Sequence, residues 1–183
     1  MSEPQAPPPP ALPSLAAIEQ RAAGGNLLLR LQVRQLLGVR TLRVVVARPR
    51  PGEPPLLLGE LKGWALPTAA GLRLDTMRVQ GADTAAVGPL LWAATFAWAL
   101  EASPCRRATL LAIRDGEAQH RRLVRYFQRL GFTSRRELGA AAADLVPRLV
   151  WGGAGLLMEG ECAEGLRRSV RRLGLSPIAA ADQ

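Results

Sequence analysis

The spacing of hydrophobic residues changes near residue 80, and this change constrains the fold more than any other feature of the chain. Before residue 80, apolar and polar residues alternate over 29–34, which is typical of a strand with one solvated face. Apolar segments follow at 42–47, 56–66 and 72–79, and turns that contain glycine or proline separate them. Because short turns join antiparallel neighbours, the first half predicts an antiparallel meander.

The last strand of this meander carries an irregularity. Leu72 and Leu74 lie on one face of an extended chain, whereas Met77 and Val79 lie on the other. A β-bulge reverses the apolar face in this way, so the pattern indicates a bulge between the two pairs. The alternative is that the strand ends near Thr76.

After residue 80 the spacing becomes helical, then strand-like, then helical again. A helix begins at Gly88-Pro89, since proline is tolerated in a first turn, and ends at Ser103-Pro104. The continuous apolar run 108–113 predicts a strand buried on both faces. Residues 117–130 predict a second helix, with an apolar stripe on one side and arginines on the other.

The remaining segments complete this alternation. Residues 132–138 and 145–158 predict closing strands, and 163–173 predicts a final basic helix. A meander followed by β-α-β-α-β predicts an α+β domain whose central mixed sheet is flanked by helices.

Length and proline content set the domain organisation. A chain of 183 residues suits one domain, which we expect over 14–183, beginning with a short helix at 15–23. Residues 1–13 contain four consecutive prolines and predict a disordered tail. A second proline-rich run, 49–55, predicts a hairpin loop that no regular element crosses.

The sequence predicts a cytoplasmic protein. The N-terminus lacks a basic region followed by an apolar run, and the apolar stretch 87–100 is shorter than the ~20 residues that span a bilayer. Two cysteines, Cys105 and Cys162, are too few for a disulfide framework or a zinc site, so we expect a reducing compartment and no metal.

The formal net charge is +9, and nearly all of it comes from arginine, since Lys62 is the sole lysine. The arginines cluster at 106–107, 121–129, 135–136 and 167–172. Such clusters favour an acidic protein, a nucleic acid or an anionic membrane surface as partner. Solvation of a protein rich in alanine and leucine explains them equally well.

The turn between the bulged strand and the next helix has the composition of an anion site. Small residues dominate 80–88, so a ligand can approach the backbone closely. The helix that begins at Gly88 presents unpaired N–H groups and the positive end of its dipole. Many ordinary turns share this composition, so the pattern alone does not define a site.

The predicted order strand–loop–helix–strand–helix, whose last helix ends in Arg125-Tyr-Phe-Gln-Arg-Leu-Gly-Phe132, resembles the GNAT superfamily of acetyl-CoA-dependent N-acetyltransferases. In that family the second core helix commonly ends in a Tyr-Glu-Lys-Leu-Gly-Phe-like run, and Phe127-Gln-Arg-Leu-Gly-Phe132 is similar. The resemblance covers about residues 41–138. It implies a GNAT-like fold, acetyl-CoA as the acyl donor and an amine as the acceptor.

The resemblance also implies where the cofactor lies. The family's pyrophosphate loop reads Arg/Gln-x-x-Gly-x-Gly/Ala, and residues 83–88 occupy its place. The implied contacts to the pyrophosphate come from Asp83, Thr84, Ala86, Val87 and Gly88. The edge of the strand that ends at Val79 is implied to pair with the pantetheine arm.

Several of these positions depart from the family pattern. Asp83 replaces an arginine or glutamine and brings negative charge toward the phosphates, and Ala86 replaces the central glycine. Phe127 replaces the tyrosine that often protonates the departing thiolate. Tyr126 is displaced from Phe127 by about 100° around the helix, so it substitutes only if the register shifts. His120 replaces an asparagine near the pantetheine, unless it is a solvated surface histidine.

A general base for the acceptor amine is expected at the bulge. Asp75 on the bulged strand is the best carboxylate by position, and Glu60 on the neighbouring strand is second. Alternatively, both carboxylates pair with Arg73 or Lys62. The sequence thus favours an acetyl-CoA-dependent N-acyltransferase, with a non-catalytic GNAT-like binding or assembly protein as the alternative.

Overall fold

The computed structural model describes residues 11–174, which form seven strands and five α-helices. The strands are β1 (Leu28–Leu36), β2 (Val39–Arg50), β3 (Glu53–Ala65), β4 (Leu72–Val79), β5 (Arg107–Ile113), β6 (Thr133–Leu138) and β7 (Gly155–Glu161). The helices are α1 (Leu15–Gly24), α2 (Val87–Ala102), α3 (Glu117–Arg129), α4 (Leu145–Trp151) and α5 (Cys162–Arg172). A single 3-10 turn, Ala142–Asp144, precedes α4.

All seven strands form one mixed sheet in the order β1-β2-β3-β4-β5-β7-β6. Strands β1 to β4 form the predicted antiparallel meander, and β4 pairs with β5 in parallel. Strand β7 lies between β5 and β6 and is antiparallel to both. The predicted α+β class, with a meander followed by β-α-β-α-β around a mixed sheet, is confirmed.

The hydrophobic core lies between the sheet and α2. Nearly every side chain of α2 is buried, because this helix packs against β2 and β3 on one side and against α1 and α5 on the others. Helix α3 reaches α2 through Trp92 and Phe127, whose ring centroids are 6.2 Å apart. Four helices therefore lie on one side of the sheet.

The opposite side of β1–β4 has a different character, and we call it the open face. The alternation along β2 shows it, because Leu42 and Val44 are buried whereas Arg43 between them is exposed. None of the residues that define the open face is buried: Arg30, Arg34, Arg43, Glu60, Lys62, Trp64, Arg73, Thr76 and Arg78.

The prediction of a strand throughout 145–158 is wrong in its first half, which forms α4. Apolar residues at 145, 146, 149 and 150 fit one helical face as well as a strand. Pro147 is compatible with a first turn, where no intrahelical N–H is required. Gly152, with φ of 77°, ends the helix in a left-handed conformation.

Two other predictions need correction. Strand β5 is not buried on both faces, since its residues alternate between buried and half-buried. The half-buried residues lie on the face of the sheet that is opposite the helices. The 49–55 loop is shorter than predicted, since β2 runs to Arg50 and β3 begins at Glu53 around a Pro51-Gly52 turn. The other three prolines, Pro49, Pro54 and Pro55, lie where the pairing register between β2 and β3 shifts. The regular hydrogen bonding between the strands is interrupted there, so the missing N–H groups of proline are tolerated.

The helix predicted at 15–23 is present as α1, and the Ser14 side chain caps it by accepting a hydrogen bond from the Ala17 N–H. Residues 1–10 of the predicted tail lie outside the described residues, and Leu12 packs against the core. Within 11–174, no helix is long and apolar enough to cross a membrane.

The packing of α5 on α2 gives a first prediction. A Cβ atom at Gly165 would lie 2.5–2.9 Å from three carbons of the Phe96 ring, so α5 approaches this closely only without a side chain. Gly165→Ala is expected to lower the free energy of unfolding by about 1–2 kcal/mol, because overpacking outweighs the gain in helix propensity.

Gly24→Ala is the matched control, since Gly24 also lies in a helix but its added Cβ meets nothing within 4 Å. This control is expected to leave stability unchanged or slightly raised. Urea denaturation of both variants measures the difference, and equal midpoints would contradict the packing described for Phe96.

Candidate functional site

The bulge predicted in β4 is present and opens the sheet. Gly63 pairs with Leu74 and Lys62 pairs with Thr76, so Asp75 is an extra residue with no partner on β3. Strand β4 pairs with β5 only over Leu72–Leu74, whereas β5 continues alongside β7 to Ile113. Because bulges bend a strand, β4 turns away from β5 beyond Leu74. The edge of 76–79 that would face β5 therefore has no strand partner, whereas the other edge still pairs with β3.

A cavity of about 680 Å³, which we call the slot, occupies the gap between the separated strands. This volume lies within the usual range of small-molecule sites. Side chains and backbone from both strands, the 80–86 turn and three helices form its walls. The lining residues are Asp75, Thr76, Met77, Val79, Thr84, Ala85, Gly88, Pro89, Leu111, Ile113, Leu123, Tyr126, Phe127 and Arg172.

The Tyr126 hydroxyl projects into the slot beside the start of α2. The Trp92 indole N–H donates a hydrogen bond to this oxygen over 2.7 Å. Since indole is a donor only, the tyrosine O–H proton remains free to be donated elsewhere. Burial raises the pKa of Tyr126 above its ordinary value, so the phenol stays protonated at neutral pH.

The start of α2 also contributes backbone to the slot. The Val87 N–H donates to the Thr84 carbonyl, and Pro89 has no N–H. The Gly88 N–H has no acceptor within residues 11–174. A Cβ at Gly88 would lie 3.4 Å from the Met77 Cε and 3.6 Å from the Tyr126 hydroxyl, so glycine keeps this stretch of backbone open to the slot.

Arg172 belongs to the arginine cluster 167–172 on α5, here called the basic stripe, and it also lines the slot. Its guanidinium carbon is 5.9 Å from the centroid of the Tyr126 ring, which is within cation–π distance. Two other arginines of the stripe, Arg167 and Arg168, pair with Glu164 instead. The stripe signalled positive charge on α5, but only the packing of α5 beside α3 brings Arg172 to the slot.

The slot brings together six of the residues singled out from the sequence. They are Asp75, Val79, Thr84, Gly88, Tyr126 and Phe127. The sequence predicts that Tyr126 substitutes for Phe127 only if the helix register shifts, and both side chains line the slot. Phe127 also lines a smaller neighbouring cavity that Tyr126 does not reach.

Glu60 does not line the slot. Its side chain lies on the open face between Arg43 and Lys62, with its oxygen 3.4 Å from the lysine nitrogen. The hydrogen bond from Arg43 lowers the pKa of this carboxyl below its ordinary value. The alternative of an ion-paired Glu60 is therefore correct, and Asp75 is the carboxylate at the slot.

Three residues of the predicted phosphate loop also lie outside the slot lining. Asp83 adopts a left-handed conformation with φ of 55°, and its carbonyl accepts a 3.5 Å hydrogen bond from Arg48 while its side chain is exposed. Ala86 precedes α2 and faces a separate cavity. Val87 is buried toward Gly59, where an added Cβ would lie 2.5 Å from the Val87 Cγ1.

His120 is a structural residue in this fold. It is buried, and its Nδ1 lies 3.2 Å from the carbonyl oxygen of Ile113. That geometry ties the first turn of α3 to the end of β5, and His120 does not line the slot. The interpretation of a solvated surface histidine is therefore also wrong.

No family model and no curated protein matches the sequence. The chain is similar to a crystal structure of nourseothricin acetyltransferase, with 16% sequence identity, a TM-score of 0.45 and coverage of 75% of this chain and 85% of that one. A likeness of this degree carries no conclusion about activity, which rests on the geometry of the slot itself.

The contact between Trp92 and Tyr126 gives a second prediction. Tyr126→Phe leaves the half-enclosed indole N–H without its acceptor and is expected to cost about 1–3 kcal/mol of unfolding free energy. A double-mutant cycle with Trp92→Phe, followed by urea denaturation, isolates the pair from the effect of lost volume. Additive losses in the double variant would show that the two side chains do not interact.

Proposed function

We propose that this protein is an acyl-CoA-dependent N-acyltransferase, which moves an acyl group from a thioester to an amine. The observation that carries the proposal is the separation of β4 from β5 at the Asp75 bulge. This separation creates a slot with a free strand edge on one side and a protonated phenol on the other. A carboxylate also lies at the same slot, so both proton-transfer groups that amine acylation needs are present.

The residues of the slot suit an acyl-CoA thioester. The pantetheine arm is an extended chain with two amide groups, and the unpaired backbone edge at 76–79 offers amide hydrogens and carbonyls to such a chain. The Gly88 N–H and the Arg172 guanidinium offer donors and positive charge to phosphate oxygens. Asp83 opposes this less than its sequence position predicts, since its side chain does not line the slot.

The thioester supplies an electrophilic carbonyl carbon and a sulfur leaving group: the new N–C bond forms as the C–S bond breaks. The amine must lose a proton in this exchange, and the Asp75 carboxylate is the acceptor at the slot. Asp75 is exposed, and its Oδ2 accepts a 3.2 Å hydrogen bond from the Thr76 hydroxyl, which orients the carboxylate beside the gap.

Tyr126 serves as the proton donor to the departing sulfur. Trp92 donates to the phenol oxygen, which fixes its position without consuming its proton. The raised pKa of Tyr126 keeps that proton in place through the neutral range. Tyr126 thus supplies the hydroxyl that Phe127, at the family's usual position, lacks.

Cofactor binding is the first test. Acetyl-CoA in excess is expected to raise the melting temperature by several degrees, because a ligand that binds only the native state stabilises it. Arg172→Gln is expected to weaken binding about tenfold, and the effect of the substitution should shrink at high salt. Arg171→Gln is the matched control, since Arg171 is an exposed neighbour that does not line the slot.

Thermal shift and titration calorimetry measure both variants. The absence of any shift at millimolar acetyl-CoA would refute the proposed function. Equal losses of affinity in the Arg171 and Arg172 variants would instead refute the placement of the phosphates.

Turnover is the second test, with a panel of small aliphatic amines and detection of free thiol. Tyr126→Phe and Asp75→Asn are each expected to lower kcat at least about a hundredfold, as for other general acids and bases. The wild-type rate is expected to fall only above about pH 10, where Tyr126 begins to lose its proton, and Tyr126→Phe is expected to remove that decline. Acetyl-CoA binding without turnover of any amine would favour the non-catalytic alternative.

A further inference from the structure

We propose that the acceptor is an acidic polypeptide, which binds along the open face and presents an aliphatic amine to the slot. This inference rests on the proposed function for its chemical step, but the binding surface itself is argued from charge and geometry on β1–β4. The open face adjoins the slot at Thr76, whereas its cations on β1–β3 do not line the slot.

The open face has an excess of positive charge. It carries six basic side chains and a single carboxylate, Glu60, which Arg43 and Lys62 share. Arg30, Arg34 and Arg78 are exposed and form no ion pair within residues 11–174. Arg43 and Lys62 lie directly opposite one another on β2 and β3, and the single charge of Glu60 offsets only one of these two cations. A bound polyanion would pair with the cations that remain.

The size of the charged area indicates a polymer. Neighbouring strands are ~4.8 Å apart, so the surface from β1 to β4 is roughly 14 Å across. Arg30 and Arg34 are separated by four residues along β1, which adds roughly 13 Å in the other direction. A small amine cannot contact cations spread over this area, whereas an extended chain with several carboxylates can.

The chemistry of the reaction selects the class of polymer. The exocyclic amines of nucleic acid bases are conjugated with aromatic rings and are poor nucleophiles. A polypeptide carries aliphatic amines at its N-terminus and on lysine, and these can attack a thioester once deprotonated. Half-exposed Trp64 on the same face adds an apolar contact for a peptide side chain.

The open face leads directly to the slot. Thr76 pairs with Lys62 across β3 and β4, and it also lines the slot. Asp75 adjoins Thr76 and accepts its hydroxyl hydrogen bond, so the carboxylate lies where the open face meets the gap. A chain that lies on the cations of β1–β4 therefore brings its amine to Asp75.

A second basic surface allows a matched control. Arg121, Arg122 and Arg129 on α3 are exposed and form no ion pair within residues 11–174. They belong to a helix on the other side of the sheet, away from the open face. A purely electrostatic, unspecific attraction of polyanions would involve them as much as the arginines of the open face.

The binding experiment uses the full chain and a fluorescent twelve-residue peptide of alternating aspartate and serine with a free N-terminal amine. The triple variant Arg30→Gln, Arg34→Gln, Lys62→Gln is expected to weaken binding at least about tenfold, and the triple variant Arg121→Gln, Arg122→Gln, Arg129→Gln less than about twofold. A peptide with asparagine in place of aspartate is expected not to bind, and affinity for the acidic peptide should fall steeply with salt. Fluorescence anisotropy measures affinity, and thermal denaturation verifies that both variants are folded.

Acetyl transfer then decides the acceptor role. With acetyl-CoA present, the acidic peptide is expected to have a KM at least about tenfold lower than its asparagine counterpart, and the open-face variant should remove this difference without lowering kcat for a small amine. Equal losses in both triple variants, tighter binding of an RNA duplex than of the peptide, or equal KM values for the two peptides would overturn the proposal. Because peptide binding is measured without acetyl-CoA, its failure is distinguishable from a failure of cofactor binding.

Discussion

The separation of β4 from β5 is the constraint on which the rest of the site depends. One unpaired residue, Asp75, bends β4 away after three paired positions, and the gap becomes a cavity instead of a continued ladder. The bulge also fixes which groups face the gap. It leaves the edge of 76–79 that faces β5 without a strand partner, and it places Asp75 itself at the border between the slot and the open face. A regular β4 would pair along its whole length with β5 and leave no room for a ligand.

The aromatic cluster between α2 and α3 determines what the cavity can do. Trp92 packs near Phe96, Phe127 and Phe132, and its indole N–H holds the Tyr126 hydroxyl. Trp92 is therefore a core residue and also the side chain that holds the proposed proton donor, Tyr126. Tyr126 and Phe127 both line the slot, and Trp92 orients the one that carries a hydroxyl.

The arginine side chains occur in three structural settings. Several arginines from the clusters seen in the sequence are neutralised by nearby carboxylates, as in the contacts of Arg107 and Arg135 with Glu159. Arg172 faces the slot, where positive charge suits phosphate oxygens. Arg30, Arg34 and Arg78 remain on the open face, where the strand pattern had indicated only a solvated side. The net charge of +9 is therefore divided among surfaces with different surroundings.

The sequence by itself determined the α+β class, the meander and the start of α2, and it indicated a bulge in β4 near Asp75. These features depend on local periodicity, on glycine and proline, and on the side-chain alternation of a single strand. It did not determine that residues 145–151 are helical, since apolar spacing over so short a segment fits both structures. Only the tertiary structure decided that Glu60 is ion-paired, that His120 is buried, that Tyr126 and Arg172 meet at the slot, and that the cations of four strands share one exposed surface. These outcomes depend on contacts between residues far apart in the chain, and a local sequence pattern does not show which distant side chain will be the contact partner.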